Sequence, residues 1–159
     1  MSASEDEIGR LWKQFLEAYY TPDSHTPDSL PRARQLAELL AAALGPYDPE
    51  HLKGAHVHPW ILVWEARGNL PEALRLAERD IARKRAQIDA GDFVPYPKLL
   101  LEAAEYLRDS LEFQAERYLK VGDEAKAREC LREMAVLGER YGLAPPEDWQ
   151  VLSEHIKQR

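Results

Sequence analysis

Apolar residues recur at intervals of three and four along most of this chain, which is the spacing of amphipathic α-helices. Glycine, proline and short polar segments separate these stretches and end each helix. We therefore predict an all-α fold of about seven helices. The predicted helices cover residues 5–20, 29–44, 59–67, 70–90, 98–121, 123–141 and 146–158.

Residues 47–58 carry opposing signals. Pro49 favours a helix start, whereas Gly54 weakens a helix and Pro59 disfavours helical geometry at the preceding residue, His58. We predict a helical turn in this segment, followed by a break or kink near His58 and by a helix that begins at Pro59.

A short sequence pattern recurs where helices meet. It places an alanine five residues after a helix breaker, as in Asp28 with Ala33, Gly68 with Ala73 and Gly122 with Ala127. Such repetition indicates helical hairpins that bury a continuous core only by stacking on their neighbours. We predict a single domain of residues 1–159, with hairpins over about 5–44, 49–91 and 97–142 and a capping helix over about 146–158.

The aromatic and small residues of these hairpins suggest a family. Trp12, Phe15 and Tyr19 lie on one stripe of the first predicted helix, and Ala115 and Tyr118 occupy matching places in the fifth. In this respect the chain resembles the tetratricopeptide-repeat superfamily, whose second helices carry an early alanine. The resemblance implies three antiparallel hairpins stacked as a short right-handed superhelix. It also implies non-catalytic binding of a peptide or partner helix in a concave groove.

The resemblance further implies which residues line that groove, since first helices face it. The candidate groove residues are Arg10, Lys13, Glu17 and Tyr20 in the first unit, His58, Leu62 and Glu65 in the second, and Asp109, Glu112 and Glu116 in the third. The last set is acidic, so we expect a protein or peptide ligand of basic or mixed charge. The alternative is that these charges only solvate the surface.

Composition narrows the classes of partner and the compartment. The chain has 159 residues and a formal net charge of −7, which argues against a general binder of nucleic acid or anionic membranes. No apolar run has membrane-spanning length, and the acidic N-terminus is unlike a secretory signal. Cys130 is the single cysteine, so an intrachain disulfide is excluded. We expect a cytoplasmic protein.

Three histidines raise the question of a metal site. His51, His56 and His58 lie close together in sequence, and the His56-x-His58 pair before Pro59 is a candidate metal chelate for a hydrolase. However, the chain lacks a nucleophile motif, a Gly-rich phosphate loop and a cofactor fingerprint. We therefore predict a non-enzyme without a cofactor, in which this segment is a polar loop packed beside Trp60.

The sequence leaves three further alternatives open. The protein could be a specific inhibitor, immunity or regulatory protein that binds one basic partner. The basic ridge between Arg75 and Arg85 could contact nucleic acid or an acidic protein. Because acidic residues interrupt this ridge, it could instead be a solvated face whose charges form ion pairs with one another. The apolar first helix could also pair with a second copy as a homodimer.

Overall fold

The computed structural model describes residues 4–20 and 29–143, and over these residues the regular secondary structure consists of six α-helices and no strand. They are α1 (Glu5–Tyr20), α2 (Ser29–Leu44), α3 (Gly54–Ala66), α4 (Leu70–Asp89), α5 (Pro97–Lys120) and α6 (Glu124–Tyr141). The all-α class is therefore confirmed for this part of the chain. The helix predicted over 146–158 lies outside the described residues.

Local sequence signals account for most of the helix ends. Ser4 begins α1 by accepting a hydrogen bond from the Glu7 amide at 3.2 Å, and serine is a preferred residue at this capping position. The observed bounds of α2 equal the predicted ones, and those of α4, α5 and α6 differ from prediction by one residue at most. These ends are set within one turn of chain, which is why the sequence predicts them.

The start of α3 is different from the prediction. The helix begins at Gly54 and continues through Pro59, so the predicted helix start at Pro59 and the predicted break near His58 are wrong. His56 and His58 lie in this helix and not in the predicted polar loop. Proline at this place removes one backbone hydrogen bond, the one that would reach Ala55, at a cost of about 3 kcal/mol. Pro59 is itself buried, and so are the four residues after it. Burial of that apolar surface outweighs the missing bond.

The chain forms two compact units, Met1–Leu76 and Ala77–Arg159, with the boundary inside α4. In the first unit α2 packs against both α1 and α3, and in the second α5 packs against α6. The largest fully buried side chains of the first unit are Phe15, Leu40 and Val63. Those of the second are Ile81, Leu107, Met134 and Gln114.

The two glycine breakers share one hydrogen-bond pattern. Gly68 and Gly122 both have positive φ, 80° and 82°, and the amide after each glycine reaches back five residues to a helix carbonyl at 2.9 and 2.8 Å. The residue after each glycine, Asn69 or Asp123, then caps the next helix with its side chain. This is a left-handed helix end joined directly to a helix start.

The alanines of the repeat pattern lie in the core. Ala33 is 3% exposed, and Ala73 and Ala127 are both fully buried at 0%. All three positions are therefore excluded from water. A small residue suits such a position because it lets two helix backbones approach closely.

Candidate partner-binding surface

Helix α5 has a buried face and an exposed face that is also apolar. The buried face contributes Ala104, Leu107, Leu111, Ala115 and Tyr118 to the core of the second unit. On the other side, Leu99, Tyr106 and Phe113 are 47%, 64% and 43% exposed. Side chains seven residues apart lie nearly in line on a helix, because two turns take 7.2 residues. These three side chains, the α5 stripe, therefore extend over about 21 Å.

Acidic residues follow the α5 stripe along one side. Five carboxylates recur at steps of three and four on this helix, namely Glu102, Glu105, Asp109, Glu112 and Glu116. This spacing places them on one line, which we call the acidic ridge. Because Glu102, Asp109 and Glu116 each follow a stripe residue by three positions, the ridge and the stripe are adjacent.

Small residues and a lysine border the other side of the stripe. Ala103 and Ser110 each follow a stripe residue by four positions. The Ser110 hydroxyl donates to the Tyr106 carbonyl at 2.9 Å and accepts from Lys84 Nζ at 2.8 Å. Lys84 also pairs with the buried Asp80 carboxylate at 2.7 Å. The stripe is thus flanked by negative charge on one side and by small side chains and an ammonium group on the other.

A partly buried polar network fixes the rotation of α5 about its own axis. Glu78 of α4 accepts hydrogen bonds from Gln114 Nε2 at 3.0 Å and from the Tyr118 hydroxyl at 2.5 Å. Arg117 donates to Gln114 Oε1 at 3.1 Å. Burial, followed by the hydrogen bond to Glu78, raises the pKa of Tyr118, so its hydroxyl remains a donor at neutral pH. With this face held against α4, the α5 stripe points away from the core.

A cavity of about 200 Å³ in the same unit contains Glu78, Tyr118 and Cys130. At its edge Arg85 donates two hydrogen bonds to Glu133, at 2.8 and 2.6 Å. Burial raises the pKa of the Cys130 thiol to about 12, so the thiol stays protonated near neutral pH. Cys130 is therefore a buried side chain with an unreactive thiol.

The structure distributes the predicted groove residues over both units. Asp109, Glu112 and Glu116 belong to the acidic ridge and are half-buried. The other described positions lie in the first unit. Three of them are exposed on α1, namely Arg10, Lys13 and Glu17. On α3, His58 is exposed, Leu62 is buried in the core, and Glu65 accepts a hydrogen bond from Tyr19 at 2.8 Å. The Tyr20 side chain lies outside what the structure describes.

The three neighbouring histidines are directed to different places. His51 Nδ1 lies 2.8 Å from Asp48 at the surface, and this hydrogen bond lowers the pKa of the Asp48 carboxyl. His56 lines a cavity of about 160 Å³ beside Trp60, and His58 is exposed. Within residues 4–20 and 29–143, no three histidine, cysteine or acidic side chains are grouped so that they could hold a metal ion.

The basic residues between Arg75 and Arg85 are largely ion-paired. Arg75 binds Glu72 at 2.5 Å, and both Arg83 and Lys84 bind Asp80, at 2.8 and 2.7 Å. Arg85 binds Glu133. These pairs favour the interpretation of this ridge as an ion-paired solvated face.

The α5 stripe was not among the predicted site residues. Its signal is present in the sequence, because Leu99, Tyr106 and Phe113 are large, apolar and seven apart while the core positions of α5 follow a different line. The sequence alone does not distinguish an exposed line of apolar residues on a helix from a buried one. The rotation of the helix in the folded protein decides which line is exposed.

None of the helices in the described part of the chain combines the length and apolar content needed to cross a membrane. Comparison with known protein families, curated proteins and solved structures gives no match to this chain.

Proposed function

We propose that this protein is a non-catalytic interaction module that binds a partner helix along the α5 stripe. The observation that carries the proposal is the alignment of Leu99, Tyr106 and Phe113 as exposed side chains on one line. Single exposed apolar residues are ordinary, but an aligned set that includes two aromatic rings is typical of a protein contact. A line of about 21 Å matches the contact length of a short docked helix.

We also propose that the module has tetratricopeptide-like organisation. The support is the repeated unit of a glycine helix end, a side-chain cap and a buried alanine at Gly68–Ala73 and Gly122–Ala127. Repeat proteins of this kind hold partners without turnover. A cytoplasmic location is part of the proposal.

Site-specific photo-cross-linking tests the proposed surface. A benzophenone amino acid replaces Tyr106, Phe113 or, as a control, Val136, which is also apolar and exposed but lies on α6. After irradiation in an extract of the source cells, we expect the same protein adduct from positions 106 and 113 and none from 136. Adducts at all three positions, or at 136 alone, would contradict the proposal.

Binding measurements with the captured partner then test the energetic role of the stripe. Tyr106→Ser and Phe113→Ser remove aromatic surface without opening the core, and we expect each to weaken binding about tenfold or more. Val136→Ser on α6 provides the matched loss of an exposed apolar side chain and should change affinity less than about twofold.

A specific inhibitor, immunity or regulatory protein is the second candidate, favoured by the acidic ridge. Such a protein forms one tight complex of fixed stoichiometry with a basic partner, whereas a general module binds several partners with modest affinity. Identification of the cross-linked adducts and titration calorimetry of the purified pair distinguish the two. A single partner that binds with nanomolar affinity would favour the inhibitor.

A further inference from the structure

We infer that the helix bound along the α5 stripe is basic and amphipathic, with its cationic side chains over the acidic ridge. This inference rests on the proposed function and adds the chemistry of the partner. It is carried by the position of the ridge directly beside the stripe, so that one docked helix touches both.

Geometry sets the pattern that the partner must have. Glu102, Asp109 and Glu116 repeat with the same seven-residue period as the stripe. A helix that places apolar side chains on the stripe at this period brings a flanking residue of each heptad over a carboxylate. Lysine or arginine at those flanking positions therefore meets one acidic group per heptad.

The electrostatic balance of α5 also favours a cationic partner. Carboxylates three and four residues apart on one helix repel each other by a few tenths of a kcal/mol per pair. Arg108 offsets part of this repulsion at Asp109, because it donates a hydrogen bond to the Asp109 carboxylate at 3.2 Å. Basic side chains from a partner would reduce the repulsion between these carboxylates, which makes binding of such a partner favourable.

Charge disfavours a second copy of the chain as the occupant. Two copies that dock antiparallel along their stripes would place one acidic ridge against the other. The formal charge of −7 on each chain adds to this repulsion. Self-association is therefore an outcome to be measured and not the inferred use of the surface.

Fluorescence anisotropy with labelled synthetic peptides tests the inference. The probe is an amphipathic peptide of about three heptads, with leucine at the core positions and lysine at the flanking positions. Its matched control carries glutamate in place of every lysine. We expect the lysine peptide to bind the full chain and its affinity to fall as salt is raised to about 0.3 M. We expect the glutamate peptide to bind at least about tenfold more weakly.

Two protein variants with equal total charge locate the effect. E102Q/D109N/E116Q neutralises the three ridge carboxylates next to the stripe, whereas D89N/D92N/E139Q removes three exposed carboxylates elsewhere in the same unit. We expect the ridge variant to bind the lysine peptide about tenfold more weakly and the control variant to change by less than about twofold. Circular dichroism melts verify that both variants are folded.

Several results would overturn the inference. They are equal binding of the lysine and glutamate peptides, equal weakening by the two triple variants, or no binding of the lysine peptide. A dimer in sedimentation velocity that Tyr106→Ser dissociates would assign the stripe to a second copy. Cross-linking at Tyr106 separates these results from the proposed function, since an adduct with a non-basic protein would retain the function and refute only the partner chemistry.

Discussion

Gly68 and Gly122 end their helices in the same left-handed conformation, and the residue after each glycine caps the helix that follows. An added Cβ would meet no atom within 4 Å at either glycine. The requirement for glycine therefore comes from the backbone and not from crowding.

Alanine at either breaker should destabilise the fold for this backbone reason. We expect Gly68→Ala and Gly122→Ala each to lower the free energy of unfolding by about 1 kcal/mol. Gly9→Ala is the control, because Gly9 lies inside α1 with open space around its Cβ position. That change should raise stability by about 0.5–1 kcal/mol. Urea unfolding measures all three, and a loss of stability at Gly9 would refute the explanation.

Ala127 tests how closely α6 packs in the second unit. Leucine at this fully buried position should lower the free energy of unfolding by about 1–3 kcal/mol, because the added carbon atoms have no free space. Ala135→Leu on the same helix is the matched control, since Ala135 is exposed. We expect it to change stability by about 0.5 kcal/mol at most. Equal effects in denaturant unfolding would show that α6 is loosely packed.

Alkaline pH should lower the stability of the second unit relative to neutral pH. The pKa of Tyr118 is raised in the folded state and that of Cys130 is raised to about 12, both mainly by burial. Each group stays protonated when folded but loses its proton more easily when unfolded. Their contribution to stability is therefore complete below the ordinary values of about 9–10 and decreases as pH rises toward the folded values.

Urea midpoints measured from pH 7 to pH 11 give the test of this alkaline limb. We expect the midpoint of the wild type to fall over the upper part of this range. Tyr118→Phe and Cys130→Ala should each make the decline shallower, since the titrating group is gone. A variant with the same decline as the wild type would exclude that residue as the source.

Acid should act on the first unit through Glu72. Its carboxylate accepts hydrogen bonds from Arg75 and, at 2.6 Å, from the Tyr47 hydroxyl, and these bonds lower its pKa below the ordinary value of 4.5. The folded state therefore gains stability from Glu72 above that value and loses it as pH falls through the folded pKa. We expect Glu72→Gln to flatten the acid limb of the stability curve. Glu139→Gln, at an exposed position of α6, should leave the limb unchanged.

Sequence patterns were sufficient where the deciding contacts lie within one turn of chain. The cap at Ser4, the bounds of α2 and the glycine ends at Gly68 and Gly122 all depend on neighbours a few residues away. The burial of Ala127 was also predictable, because its place relative to the breaker sets which helix face it shares with the core. Leu62 shows the limit, since its position in a helix did not reveal whether it faces the core or the surface.

The amino-acid sequence by itself therefore determined the all-helical class, most helix ends and the repeated breaker. Each of these follows from the spacing of apolar residues and from the backbone preferences of single residues. The tertiary structure decided the continuity of α3 through Pro59, where burial outweighs a local cost. It also decided that Leu99, Tyr106 and Phe113 are exposed. The rotation of α5 is set by the hydrogen bonds of Gln114 and Tyr118 to Glu78, which is 36 and 40 residues away and meets them only in the folded unit.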